Sequence, residues 1–237
     1  MIPEDVFKSG TLEMSASPAG GLAEAVPWGD LLTNRILAVL AVFLLVLNLS
    51  ELFRLAPHLL YSIDRSRGSA DLEHSLSLAR SRNMTALCFA LPFCLAADRY
   101  ALFRPDFWSA IPAQWSAPAT IGVLAAFLLI RAFCFALMRP RRLSGEETAT
   151  LRHLSYNYFI LMAALILLSA GIFSVLHVPD ALCRTILLWE IGLVWFFILI
   201  RSGQFLDAHG MGFTTFLYLC GLEIVPAALL VAVVMLF

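Results

Sequence analysis

The sequence predicts an all-α membrane protein, a polytopic bundle of about six transmembrane helices with both termini outside. Hydrophobic residues make up 60% of the 237 and charged residues only 14%, whereas a soluble domain is roughly 45–50% apolar and about 25% charged. Apolar runs such as Ile36–Leu47 lack the alternation of a β-barrel, and backbone in lipid must satisfy its own hydrogen bonds, which favours helices. The predicted partner is therefore the lipid bilayer. The net charge of −1 gives no basic field for nucleic acid.

Six segments are long enough to cross a hydrocarbon core of roughly 30 Å, which needs about 20 helical residues. The second is the least apolar, because Pro92, Asp98 and Arg99 interrupt it. A capping box of Ser144 and Glu147 predicts that the fourth helix begins before the membrane and runs into it. Residues 1–26 are predicted to be a disordered acidic tail, and residues 27–237 the bundle. The segments are 31–53, 84–103, 119–138, 154–176, 183–202 and 213–237.

The basic residues predict which ends of the helices face the cytoplasm. Ten Arg residues fall in the loops between segments one and two, three and four, and five and six, against five Lys or Arg residues on the other side. The positive-inside rule makes the ten-charge side cytoplasmic. In the loop near 54–83, residues 69–82 fit either an amphipathic helix on the inner leaflet or a soluble hairpin. The predicted contacts with anionic headgroups are Arg80, Arg82, Arg141 and Arg142.

Three charged residues lie deep in the segments, where a charge costs roughly 2.5–3.5 kcal/mol on an insertion scale. Arg131 is about 10 Å from the inner end of its segment and Glu223 about 15 Å, at ~1.5 Å of rise per residue. A long Arg side chain spans such a gap, so Arg131 and Glu223 are predicted to pair, with Asn157 and Tyr218 as hydrogen-bond partners.

The third deep charge, Glu190, lies nearer the outer half. Arg184 is six residues earlier and on another face of the helix, so Glu190 either finds its partner on another helix or carries a proton. Pro226 removes the hydrogen bond to the Leu222 carbonyl and predicts a kink just after Glu223. The cluster fits interhelical packing, a proton, ion or substrate path, or a docking surface for another subunit.

No cofactor or metal site is predicted. The five cysteines form no CxxC pair and the five histidines are scattered. His177 with Asp180, and Asp207 with His209, offer only two metal ligands each. No phosphate-binding glycine loop, HExxH or GxSxG motif is present, so the sequence favours a protein that is not an enzyme.

The start of the sixth segment resembles a known signature. Residues 216–226 read FLYLCGLEIVP, similar to the C-terminal signature of an uncharacterised bacterial family, domain-of-unknown-function family four-two-seven-one. The resemblance extends more loosely upstream to about residue 31, through the Arg-rich first inner loop, Arg131 and Asn157. It implies a multi-span protein of the inner membrane of Bacteroidetes-type bacteria, and it implies no activity.

Three functions fit these features. The favoured one is a non-enzymatic subunit or assembly factor of an envelope complex, with other membrane subunits or a second copy as partners. The second is a small transporter or channel component whose path is lined by Glu223, Arg131 and Glu190. The third is an intramembrane lipid-modifying enzyme using Arg141, Arg142, Arg152 and His153.

Overall fold

A computed structural model describes residues 27–64, 76–137, 145–208 and 219–236, and this part of the chain is helical without strands. The predicted all-α membrane bundle is confirmed. Short 3-10 helices at Trp28–Asp30, Asp106–Ala110 and Ala113–Trp115 lie at one end of the bundle. The six α-helices are α1 (Leu32–Asp64), α2 (Leu76–Arg99), α3 (Ser116–Leu137), α4 (Gly145–Val175), α5 (Asp180–Ala208) and α6 (Val225–Leu236).

Helix α2 lies at the centre of the bundle and packs against α1, α3 and α4. Its Phe89 and Phe93 are buried in one cluster with Ile166 of α4 and Leu187 of α5. This position explains why the second segment is the least apolar of the six. A helix surrounded by other helices does not need an apolar surface for lipid, so Pro92 and Asp98 are tolerated there.

The outer helices turn large apolar side chains away from the protein. Val39 of α1 is 72% exposed, and Leu129 of α3 and Trp189 of α5 are equally open. A water-soluble protein does not present apolar faces of this extent, whereas lipid covers them without cost. Four helices are long and apolar enough to cross a membrane: Leu32–Leu59, Ala113–Leu137, Leu154–Val175 and Asp180–Asp207.

The other two predicted crossings have weaker support. Helix α2 covers most of segment 84–103 but is not among the four. Segment 213–237 contains the shorter apolar helix Val225–Val234, and residues 209–218 lie outside the described part. The predicted tail, residues 1–26, also lies outside it.

The start of α2 changes one prediction. Residues 76–82 are the first two turns of α2 and not part of a separate helix on the membrane surface; residues 65–75 lie outside the described part. Helix α4 runs without a break from Gly145 to Val175, so it extends beyond the apolar segment 154–176 as predicted; Ser144 of the predicted capping box lies outside the described residues.

Pro226 is accommodated by a π-helical turn, Cys220–Ile224, which we call the π-turn. At its end the Val225 N–H donates to the Cys220 carbonyl, five residues back, and α6 follows directly. The wider turn lets the chain pass the missing proline N–H without a break in the helix. It also places Glu223 inside the π-turn, where it faces α3.

Candidate functional site: polar side chains inside the bundle

Arg131 and Glu223 form an ion pair inside the bundle, as their predicted depths require. Arg131 Nη2 donates both to Glu223 Oε1 and to Ser155 Oγ, so one guanidinium nitrogen joins α3, the π-turn and α4. The side chains are 19% and 9% exposed. Neither charge is directed at lipid, and each compensates the other.

The pair is well matched in charge but not fully hydrogen-bonded. Arg131 Nε is buried and has no partner among the described residues. A buried ion pair gains little net stability once the loss of hydration is counted, yet removal of either member leaves a buried charge alone. The arrangement therefore makes the position of α3 depend on the π-turn.

Asn157 is not the hydrogen-bond partner predicted for this pair; Ser155 fills that place. Asn157 lies two residues further, about 200° around the helix, on the side of Ile160, which packs with Leu55 and Ala86. It is only 1% exposed, and neither amide atom has a partner among the described residues. Tyr218, the other predicted partner, lies outside the described residues.

Glu190 occupies a different environment. The Ser169 hydroxyl of α4 donates to Glu190 Oε1 at 2.7 Å. Glu190 Oε2 is buried without a hydrogen-bond partner among the described residues. The partner does come from another helix, but it is a neutral hydroxyl. Ser169 is one polar residue in a long apolar run, and its spacing gives no sign that it faces α5.

Asp98 is a third carboxyl inside the bundle, and sequence reasoning treated it only as an interruption. It is buried near the outer end of α2 and accepts three hydrogen bonds. The Trp28 indole donates to Oδ2 at 2.7 Å, while the hydroxyls of Ser116 and Thr120 donate to Oδ1. Ser116 and Thr120 are one turn apart at the start of α3, a spacing that signals a shared face. Asp98 thus ties the segment before α1 to α2 and α3.

The four predicted contacts with lipid headgroups have different outcomes in the structure. Arg80 is exposed, as a contact with lipid requires. Arg82 is 1% exposed, so its predicted headgroup contact is wrong: as part of α2, its side chain is enclosed by the bundle, with Nε donating to Asn83 Oδ1 at 3.3 Å. Arg141 and Arg142 lie outside the described residues, and the side chains of Arg152 and His153 are not described either, so the lipid-enzyme hypothesis is not tested.

The predicted inner end of α1 is joined to α2 by a polar contact. The Ser81 hydroxyl donates to Glu51 Oε2, and Arg54 lies 3.8 Å from the same oxygen. The described residues contain no group of three or more His, Cys, Asp or Glu side chains placed to hold a metal. All five cysteines are free thiols.

No family model matches the chain, and no curated protein or solved structure matches it either. The resemblance of residues 216–226 to the uncharacterised bacterial family therefore stays a prediction. The function must be argued from the geometry of the bundle.

Proposed function

We propose that the protein is a non-enzymatic subunit or assembly factor of a complex in the bacterial inner membrane. The observation that carries the proposal is the closed contact of Arg131 with Glu223 and Ser155. A transport path would present its deep charges to water or substrate. Here the charges of Arg131 and Glu223 neutralise each other, which is the arrangement of side chains that fix helix packing.

The arrangement of α6 supports a partner in the membrane. This helix and its π-turn pack chiefly on α3, so much of the surface of α6 has no neighbour among the described residues. Val231 is 57% exposed, and Leu229 and Val233 are exposed beside it. The same helix exposes Ala228, and small residues of this kind let two membrane helices approach closely.

Site-specific photo-crosslinking tests this role. A photoreactive residue at Val231 is compared with one at Val39 of α1, a similarly exposed apolar site. Purification in mild detergent then shows whether a protein co-purifies in fixed stoichiometry. We expect that protein to crosslink from Val231 and not from Val39. A protein that purifies alone and gives no crosslink at Val231 refutes the proposal.

The proposed location and topology have their own test. The excess of basic residues in three loops supports an inner-membrane protein with those loops in the cytoplasm and both termini outside. An alkaline phosphatase domain fused after Phe237 is expected to be active, because it would lie outside. The same domain fused after Asp207 is expected to be inactive. The reverse pattern contradicts the topology.

A small transporter or channel component is the second candidate, and Glu190 is the observation that favours it. Its half-satisfied carboxyl is the kind of intramembrane group that ion and proton pathways use. The abundance of Glu223→Gln separates the candidates. A subunit held together by the ion pair loses abundance, whereas a transporter that uses Glu223 keeps its abundance and loses transport.

A further inference from the structure

Glu190 lies within the membrane, in its outer half. It is ten residues after Asp180, where α5 begins, or about 15 Å along the helix at ~1.5 Å per residue. The predicted segment 183–202 begins three residues after Asp180, so the carboxyl lies about 10 Å inside a hydrocarbon core of roughly 30 Å. On the same helix, Leu187 is fully buried and Ile191 packs in the same apolar cluster, so the half-buried Glu190 lies beside this cluster.

Charged groups are distant from Glu190 along the elements around it. On α5 the nearest are Arg184, six residues before, and Arg201, eleven after. Helix α4 carries no titratable side chain from Phe159 to Val175. At the outer end of α2, Asp98 accepts hydrogen bonds from neutral donors.

The remaining titratable groups near this layer are engaged at the outer end or are thiols. Arg99 pairs with Asp180 across the ends of α2 and α5. The thiol of Cys183 donates to the Val178 carbonyl, and Tyr100 donates to the carbonyl of Ala170. Among the described residues no cation lies within ion-pair distance of Glu190.

We propose that Glu190 is a proton-binding site within the membrane, and that Ser169 orients it. A carboxylate ion with one neutral donor in apolar surroundings is strongly disfavoured unless its charge is removed. In the acid form both oxygens have a role. Oε1 is the carbonyl oxygen that accepts from Ser169, and the buried Oε2 carries the proton. Binding takes up one proton on Oε2 and its release restores the carboxylate; no other bond changes.

This inference holds for a complex subunit as well as for a transporter, so it does not depend on which proposed function is correct. Glu223 is the natural internal control, because it is a second glutamate inside the bundle but its carboxylate faces the Arg131 guanidinium. A probe that distinguishes an acid from a carboxylate must therefore separate the two residues within one molecule.

A lipid-soluble carbodiimide, N,N′-dicyclohexylcarbodiimide, is such a probe because it modifies carboxyl groups that carry a proton. The full-length protein in lipid vesicles is treated at a series of pH values, and the label on each glutamate is measured by peptide mass spectrometry. We expect label on Glu190 that falls as the pH is raised, because only the acid form reacts. Glu223 should stay unlabelled over the same range.

Two further measurements keep the test decisive. Infrared difference spectra should contain the carbonyl stretch of a carboxylic acid, and Glu190→Gln should remove it. Ser169→Ala should shift the pH at which labelling of Glu190 falls. Equal labelling of both glutamates, protection of Glu190 by sodium ions at constant pH, or absence of both label and carbonyl band overturns the proposal.

Discussion

Glu223 is buried and Glu190 half-buried in the same bundle, and the two carboxyls have different partners. Glu223 faces a guanidinium that a second helix also holds, and it lies in the π-turn, where the backbone departs from a regular helix. Glu190 receives one neutral hydroxyl on a regular helix. The comparison shows that this bundle holds one carboxyl beside a fixed counter-charge and the other beside a single neutral hydroxyl.

Asp98 is a third carboxyl inside the bundle, and it is stabilised in a third way. It has no cation among the described residues, but three neutral donors converge on it from the segment before α1 and from α3. Its partners are an indole and two hydroxyls at helix ends, near the predicted interface with water. The number and charge of donors thus differ with depth among the three carboxyls.

The largest effect is expected for Glu223→Leu. The substitution leaves Arg131 buried without its counter-charge, which costs about 3–5 kcal/mol in buried pairs. Thermal unfolding in detergent and abundance in the membrane should both fall sharply. The double variant with Arg131→Leu serves as the control and should recover most of the loss, since an apolar pair of similar volume replaces a buried ion pair well. An unchanged Tm for Glu223→Leu would show that the contact does not hold α3 to the π-turn.

The pairing of Arg131 with Glu223 was accessible from the sequence because it depends on depth. Depth follows from the helical rise and the ends of an apolar run, and a long Arg side chain tolerates an error of a few ångströms. The hydrogen-bond partner depends on the direction a side chain faces, which changes by about 100° per residue. A shift of two residues therefore separates Ser155, the actual partner, from Asn157, the predicted one.

The central position of α2 was not accessible in the same way. Hydropathy measures how well a segment tolerates lipid. Because α2 is largely enclosed by protein, its lower hydropathy reflects contact with other helices and does not show that it fails to cross the membrane. The same enclosure buries Arg82, which the amphipathic pattern assigned to the membrane surface. Single hydroxyls such as Ser169 carry no pattern at all.

Neutralising each glutamate without a change in shape tests the comparison directly. Glu223→Gln exchanges a charged hydrogen bond for a neutral one opposite Arg131 and should cost about 1.5–3 kcal/mol. Glu190→Gln keeps an oxygen that accepts from Ser169 and removes no ionic contact, so its cost should stay below about 1 kcal/mol. Unfolding of the two variants in one detergent gives the difference. Equal losses would mean that the two environments are not distinct.

Asp98→Ala should have an intermediate effect. The Trp28 indole and the Ser116 hydroxyl lose their acceptor, while the Thr120 hydroxyl keeps the Ser116 carbonyl, and buried donors left unpaired cost about 1–3 kcal/mol. The loss should be accompanied by a change in Trp28 fluorescence, because the indole N–H loses its bond to Asp98. The matched control is Asp30→Ala, whose carboxylate pairs with Arg35 at an exposed site and should leave stability unchanged. Normal stability of Asp98→Ala would show that the hydrogen bonds to this carboxyl do not stabilise the bundle.

The smallest effect is expected where the same kind of charge pair is exposed. Arg99 and Asp180 lie 3.1 Å apart, with side chains 43% and 64% exposed, at the predicted outer surface. Water hydrates both charges whether or not they meet, so Asp180→Asn should cost only about 0–1 kcal/mol, and salt should weaken the pair further. The measurement is the Tm of wild type and variant at low and high ionic strength. A loss of stability close to that of Glu223→Leu would mean that exposure to water does not govern the strength of ion pairs in this bundle. The different effects expected for substitutions at Glu223 and Glu190 would then need a cause other than their surroundings.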